Sequence, residues 1–522
     1  MSLSSRLGSA LSAVRPAPVH RAPRSYDARA WRRLTVAIVL GVGVGTLVTL
    51  TPPGAVLIIG GGVGLTTLLI LGRRIVAVFQ GALVILLVGY AFLGRGLAHV
   101  GVGQLYVSEM VLAIGLLAIV VALPRAKLGP VHGFLFLFMA WGLVRTVPYI
   151  GLYGLDALRD AVTWGYGLFA LAVSITVRPA HFVTIARWYR RVIPWFLIWV
   201  PIAAILTIRF GSLLPVPPGS DVPIVFFKGG DMGVHLAGVG AFVLVGLYGL
   251  LGTAGGWAEG LIWAGWLVAV AVSGAINRGG LLSASMAIAS GLFIRSSVRW
   301  FSLGFVALLL AVSAGLLNPT VDVGGSRSVS IGQLASNVVS VLNDTGNAGL
   351  QGTKEFRLAW WSKIVDYTVF GPYFWTGKGY GINLADADGF QIEANHSLRA
   401  PHNSHLEILA RSGVPGFVSW VLLQLVFAVT VLRAAFRARG RGDLIWTRIL
   451  GWIFVYWAAV LVDTSFDPYL EGPQGGIWFW TLFGLGIAAA RFAWSGEATT
   501  EIKSAEESAR PRDLRRVATP AR

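Results

Sequence analysis

The 522-residue sequence contains no cysteine, and that absence excludes disulfide bonds, thiolate metal sites and cysteine nucleophiles together. Charge is scarce as well. Asp, Glu, Lys and Arg make up 13% of the chain, against roughly a quarter in a soluble globular domain. Acidic side chains are the scarcest, 24 against 42 basic ones, for a formal net charge of +18. Such an excess invites a nucleic-acid reading. The basic residues, however, lie in the two terminal segments and in short connections rather than in one patch, so no nucleic-acid partner is expected.

What is present is apolar. Hydrophobic residues make up 55% of the chain, and glycine contributes 66 residues, a side-chain size that close helix contact in lipid favours. About fourteen runs are long enough to cross roughly 30 Å of hydrocarbon at about 1.5 Å per helical residue. Those at 34–50, 54–72, 75–93, 105–123, 131–150, 161–177, 192–209, 232–252, 258–276, 281–296 and 299–317 precede one long hydrophilic segment, and those at 414–436, 446–466 and 474–493 follow it. Pro52 and Pro53 separate the first two so tightly that they also read as a re-entrant pair. The expected fold class is an all-α polytopic membrane protein with about 12–14 transmembrane helices and one large extracytoplasmic loop containing short helices.

Orientation follows from lysine and arginine, which are enriched in cytoplasmic loops. Arg73 and Arg74, Arg125 and Lys127, the group Arg178, Arg187, Arg190 and Arg191, then Arg295 and Arg299, then Arg433, Arg437, Arg439 and Arg441 fall on alternate connections. The expected organisation is a disordered basic cytoplasmic tail over 1–33 and an N-terminal transmembrane bundle of about eleven helices over 34–317. A periplasmic or extracellular loop over 318–413, three transmembrane helices over 414–493 and a second disordered cytoplasmic tail over 494–522 complete it. Basic tails of this kind suit attraction to anionic membrane lipids.

Three arginines run against the charge pattern by falling at the outer face: Arg159 in LDALRD, Arg278 in AINRGG and Arg357 in the loop. Charge at a membrane boundary is costly and faces protein, water or ligand. Within the loop, SIGQLASNVVSVLN over 330–343 has helical spacing suited to a membrane surface, and TKEFRLAWWSKIVDYTVF reads as a helix carrying Arg357, Trp360 and Trp361. GKGYG is a glycine-rich turn, and NSHLEILARSG opens a helix capped by Asn403 or Ser404 and ended by Gly413.

Taken in order, the chain holds an arginine beside glycine at an outer helix end (Arg278, Gly279), an arginine three residues before tryptophan (Arg357, Trp360) and a G-x-G turn (Gly377, Gly379, Gly381). RAPHNSHLEILARSGVPGF follows, with His402, Asn403, Leu406, Gly413 and Gly416. This ordered set resembles the O-antigen ligase and O-antigen polymerase superfamily from Arg278 to Gly416, and the likeness is topological elsewhere. The resemblance implies a metal-independent glycosyltransferase without cofactor in a bacterial cytoplasmic (inner) membrane. Such an enzyme moves a glycan from an undecaprenyl-pyrophosphate carrier to a glycan or lipid-glycan acceptor at the outer face. On that reading Arg278 and Arg357 bind pyrophosphate oxygens through the planar guanidinium fork, and His402 takes the proton of the acceptor hydroxyl. Asn403, Arg159, Trp360, Gly379 and His405 are the candidate substrate-binding residues.

Plainer roles compete. Arg278 also suits snorkelling to headgroups, Arg357 a solvated face or a cation–π pair with Trp360 or Trp361, and Arg159 an ion pair with Asp156 or Asp160. His402 also suits a packed helix-start position, with His405 or His396 as the base instead. GKGYG lacks the strand and helix context of a nucleotide loop. Two further readings differ in kind: a peptidoglycan polymerase using Asp386, Asp388 or Glu393, and a lipid-linked oligosaccharide flippase, which calls for inverted repeats and polar groups at the bilayer midplane.

Overall fold

The structure, a computed structural model, describes residues 62–64, 66–67, 70–102, 105–251, 256–276, 283–285, 287–288, 321–322, 328–329 and 348–496. The chain divides after Gly72 into two compact units, and the second, from Arg73 onward, holds the elements that follow. Its helices are α1 Ile75–Leu93, α2 Val107–Ala122, α3 Pro130–Tyr153, α4 Leu155–Asp160, α5 Gly167–Thr176, α6 Pro179–Arg209, α7 Gly229–Leu244 and α8 Gly256–Ile276. After the loop begins come α9 Ala348–Thr368, α10 Leu384–Asp388, α11 Ser404–Gly440, α12 Leu444–Asp463 and α13 Pro473–Ser495. Extended pairing among the described residues is limited to two two-residue antiparallel ladders and one bridge between Gly94 and Phe226.

Among the described residues, 8 helices are long and apolar enough to cross a membrane, and Val162–Thr176 and Gly230–Leu244 are shorter apolar helices. The all-α polytopic class expected from sequence is what the chain adopts. The expected spans 34–50 and 299–317, most of 54–72 and of 281–296, and the surface helix at 330–343 lie outside the described residues. One boundary differs in kind. The last part of the loop and the span expected at 414–436 form a single helix, α11, broken only by Gly413 at φ 67° and ψ −174°. Glycine takes that conformation without the Cβ clash other residues meet, and an added Cβ there would lie 2.5 Å from the Phe374 carbonyl oxygen.

α12 and α13 form the buried centre, whereas α1, α2 and α3 keep apolar residues on the outside for lipid. Helix association in lipid lacks a hydrophobic drive, so close packing and interhelical hydrogen bonds hold the bundle. Indole N–H groups supply many of the latter: Trp199 donates to the Phe92 carbonyl (2.8 Å), Trp266 to Leu236 (2.6 Å), Trp452 to Gly238 (3.1 Å) and Trp457 to the Gln424 side chain (3.0 Å). The loop builds a small core of its own from Trp360, Ile364, Leu384, Ala385, Leu409 and Ala410. That core seats α9 and α10 on the first turns of α11.

The two ends of the bundle differ in chemistry. At one end Arg491 donates to the Lys127 carbonyl, Arg441 to Ala493, Arg190 to Tyr248 and Arg448 to Gly246. The other end carries the loop, His402 and nearly all the ion pairs.

Candidate active site

His402 sits immediately before α11, in the left-handed region at φ 55°. A histidine pays of the order of 1 kcal/mol or more to hold that conformation, and its neighbours on both sides are fixed. Before it, the Pro401 carbonyl accepts the indole N–H of Trp361 at 2.8 Å. After it, Asn403 caps α11, its side-chain oxygen accepting the backbone N–H groups of His405 and Leu406 at 3.0 Å each. The backbone N–H of Ser404 donates to the Thr464 carbonyl at 2.8 Å, which ties the cap to the α12–α13 connection. The ring of His402 is half-buried, and no hydrogen bond from the described residues engages it.

That ring lies in a charged environment supplied by four separate elements. Burial first, then the Arg357 guanidinium, with Lys228 and Arg95 adding to the effect and Asp467 opposing it, pushes the imidazole down to about 4. It is therefore neutral at physiological pH. Arg357, on α9, donates to the Phe466 carbonyl at 3.2 Å, which places its guanidinium over the α12–α13 connection. Arg95, just after α1, makes a two-pronged contact with Asp231 of α7 (2.8 and 3.0 Å) and reaches Asp467 at 3.2 Å. Lys228 begins α7, its backbone N–H donating to Asp231. Its ammonium is held below the usual lysine range by burial and by Arg95, and no salt bridge among the described residues engages it. Beneath them, Ser283 donates to Asp463 at 3.2 Å.

A second buried network holds the loop down. Arg411 pairs with Glu407 (2.7 Å) and Asp160 (2.8 Å), and Asp160 also meets Arg399 (3.2 Å) and the backbone N–H of Gly381 (2.9 Å). Burial, reinforced by the neighbouring Glu407, raises Glu471 well above the usual carboxylate range.

The candidate residues named from sequence are distributed unevenly over this geometry. His402, Asn403 and Arg357 converge. Arg278, with Gly279, lies outside the described residues. His405, three residues further on, has both ring nitrogens engaged: Nδ1 accepts from Trp420 (3.1 Å) and Nε2 donates to the Leu461 carbonyl (3.1 Å). Trp360 is fully buried, donates to Asp388 at 2.7 Å and stacks on Phe390 at 5.3 Å, so its ring belongs to the loop core. Gly379, at φ 90°, packs where a Cβ would come within 2.2 Å of the Tyr149 ring, and its N–H donates to the Arg411 carbonyl. Arg159 is 63% exposed and 3.9 Å from Asp156, while Asp160 is occupied by Arg399 and Arg411. His396 pairs with Asp386 on the exposed face of the loop.

Residues 263–421 match the model of the family described as O-antigen ligase. Over this stretch the chain is similar to the O-antigen ligase domain. The stretch runs from α8 through the loop and past the Gly413 kink into α11, and so contains His402, Asn403, Arg357 and Arg278. The likeness to the O-antigen ligase and polymerase superfamily seen in the ordered motifs is thus supported over the same stretch of chain. No curated protein matches the chain. Arg95, Lys228, Asp231 and Asp467 all lie outside the matched domain, and the sequence reading passed over them. The signal for two of them was available: Arg95 and Lys228 break the charge alternation just as Arg159, Arg278 and Arg357 do.

Proposed function

We propose that this membrane glycosyltransferase of the O-antigen ligase and polymerase type transfers a glycan from an undecaprenyl-pyrophosphate carrier to a glycan or lipid-glycan acceptor, without metal. The reaction takes place at the outer face of the cytoplasmic membrane. The observation that carries this reading is a histidine whose backbone is fixed on both sides and which is set among cations contributed by α9, the α1–α2 connection and the start of α7. The acceptor hydroxyl attacks the anomeric carbon as the bond from that carbon to the pyrophosphate oxygen breaks. The hydroxyl proton passes to His402, and the carrier pyrophosphate leaves with the bonding pair. Negative charge therefore grows on phosphate oxygens, which Arg357, Arg278 and Lys228 are suited to receive. Asn403 acts by fixing the backbone on which His402 sits.

The concentration of Lys127, Arg190, Arg441, Arg448 and Arg491 at the far end supports a cytoplasmic assignment for that end, and with it an outward-facing His402. The test is purified protein in lipid nanodiscs, given undecaprenyl-pyrophosphate glycan and candidate acceptors in the presence of a chelator. A ladder of products identifies a polymerase and a single shifted acceptor band a ligase. His402→Ala and Arg278→Ala should each abolish transfer while the protein still elutes as a folded particle. Wild-type turnover by either variant defeats the assignment.

A further inference from the structure

The stretch joining α9 to the glycine-rich turn, TVFGPYFWT over 368–376, is nine residues without a charge in an otherwise polar loop. Its large side chains point outward: Phe370 is 80% exposed and Trp375 69%, with Val369 and Tyr373 partly so. Loop aromatics left open to water in this way call for a partner.

The position of the stretch along α3 identifies that partner. Arg145 Nε donates to the Thr376 carbonyl at 2.7 Å, and its guanidinium also reaches the Tyr149 hydroxyl. Beside it, Trp141 donates to the Ser412 carbonyl at 2.8 Å, while the Phe374 carbonyl accepts the backbone N–H of Val414. Arg145 is eight residues before the end of α3, about 12 Å along the helix axis at 1.5 Å per residue. The turn is therefore anchored well below the end of a membrane-spanning helix. At this same level α3 turns Leu143, Val144 and Val147 outward, each at least half exposed, as a lipid-facing stripe requires. The apolar turn is joined to α3 at the level of that stripe.

We infer that the 368–376 turn is embedded in the leaflet nearest His402, with Phe370 and Trp375 in the lipid headgroup and upper acyl region. Aromatic side chains favour this zone, and an arginine at this depth can reach the interface by snorkelling. The loop is then not suspended over the bilayer but rooted in it. Through the backbone hydrogen bonds of Gly377, Lys378 and Gly379 to the first part of α11 and to Tyr373, the same root sets the height of the helix that carries His402 at its start. The inference depends on the bilayer placement of α3 and not on the glycan-transfer reading.

The absence of cysteine makes the test direct. Single cysteines at Phe370, Trp375 and Val369 are labelled with an environment-sensitive fluorophore, with Val144→Cys as the lipid reference and Asn395→Cys as the water reference. The protein is reconstituted in phosphatidylcholine vesicles containing spin-labelled lipid. Labels at 369, 370 and 375 are expected to be quenched by the lipid spin label as strongly as the label at 144, and to resist aqueous iodide that quenches the label at 395. Quenching like position 395 overturns the inference, as does protection from both quenchers, which would mean a protein partner covers the turn. Val369→Cys retains both aromatics, so it gives a reading even if the other two variants fail to fold.

Discussion

The indole N–H of Trp361 meets the carbonyl of Pro401 at 2.8 Å, so the loop helix α9 grips the backbone one residue before His402. Arg357 lies one helical turn earlier on α9, so the proposed phosphate-binding cation and the proposed base are tied to one helix. Trp361→Phe removes the grip while keeping the ring. The lost hydrogen bond is of the order of 1 kcal/mol, so kcat is expected to fall about five- to tenfold, with little change in the donor KM. A change confined to KM would place Trp361 in the binding surface instead.

The proposed role of His402 as the base predicts an unusual pH profile. Burial and Arg357 push His402 down to about 4, and a base works only when deprotonated. The acid limb of kcat/KM should therefore lie near 4, well below the roughly 6.5 of an unperturbed imidazole. Bound pyrophosphate adds negative charge beside the ring and raises its proton affinity. The limb of kcat should in consequence lie at higher pH than that of kcat/KM. Two coincident limbs near pH 6.5 would count against His402 as the base in this environment.

Lys228→Met tests the cation outside the matched domain. A charge-assisted contact contributes about 1.5–3 kcal/mol, so the donor KM is expected to rise about 10- to 100-fold. Short soluble acceptors should keep their own KM. Equal donor affinity in wild type and variant removes Lys228 from the phosphate site.

Trp360 distinguishes packing from recognition. Trp360→Phe keeps the stack on Phe390 but leaves Asp388 without its indole partner, Tyr367 and Lys378 remaining. Stability should drop by about 1–2 kcal/mol, read as a lower Tm in detergent, with unchanged donor KM. A raised KM at unchanged Tm would mean that the ring touches substrate.

Arg411→Met should be far more damaging. The guanidinium is buried between Glu407 and Asp160, and removing one partner of a buried pair costs about 3–5 kcal/mol, here because Glu407 loses its partner while Asp160 keeps Arg399. The expected readout is loss of the monodisperse particle on size exclusion, with activity lost as a consequence of unfolding.

Local rules made much of this protein legible from its residues. Apolar run length specified the membrane class, because an unsatisfied backbone in hydrocarbon leaves helices as the available solution. A cap at Asn403 or Ser404 and Gly413 as the end of the first α11 segment followed from hydrogen-bonding chemistry and from glycine's freedom at positive φ, both properties of a few adjacent residues; the structure selects Asn403. The ordered motifs singled out His402 and Arg357, which the fold brings together. What the sequence left open was which faces meet. Arg95 reaches Asp467 across 372 positions, and Arg411 and Arg399 converge on Asp160 from the far side of the loop. In lipid every apolar helix face looks alike to the solvent, so the pairing of helices rests on shape and on hydrogen bonds formed only after assembly. For that reason the motif residues Trp360, Gly379 and His405 look like substrate contacts in the sequence, and only the packed structure reveals the protein groups that engage them.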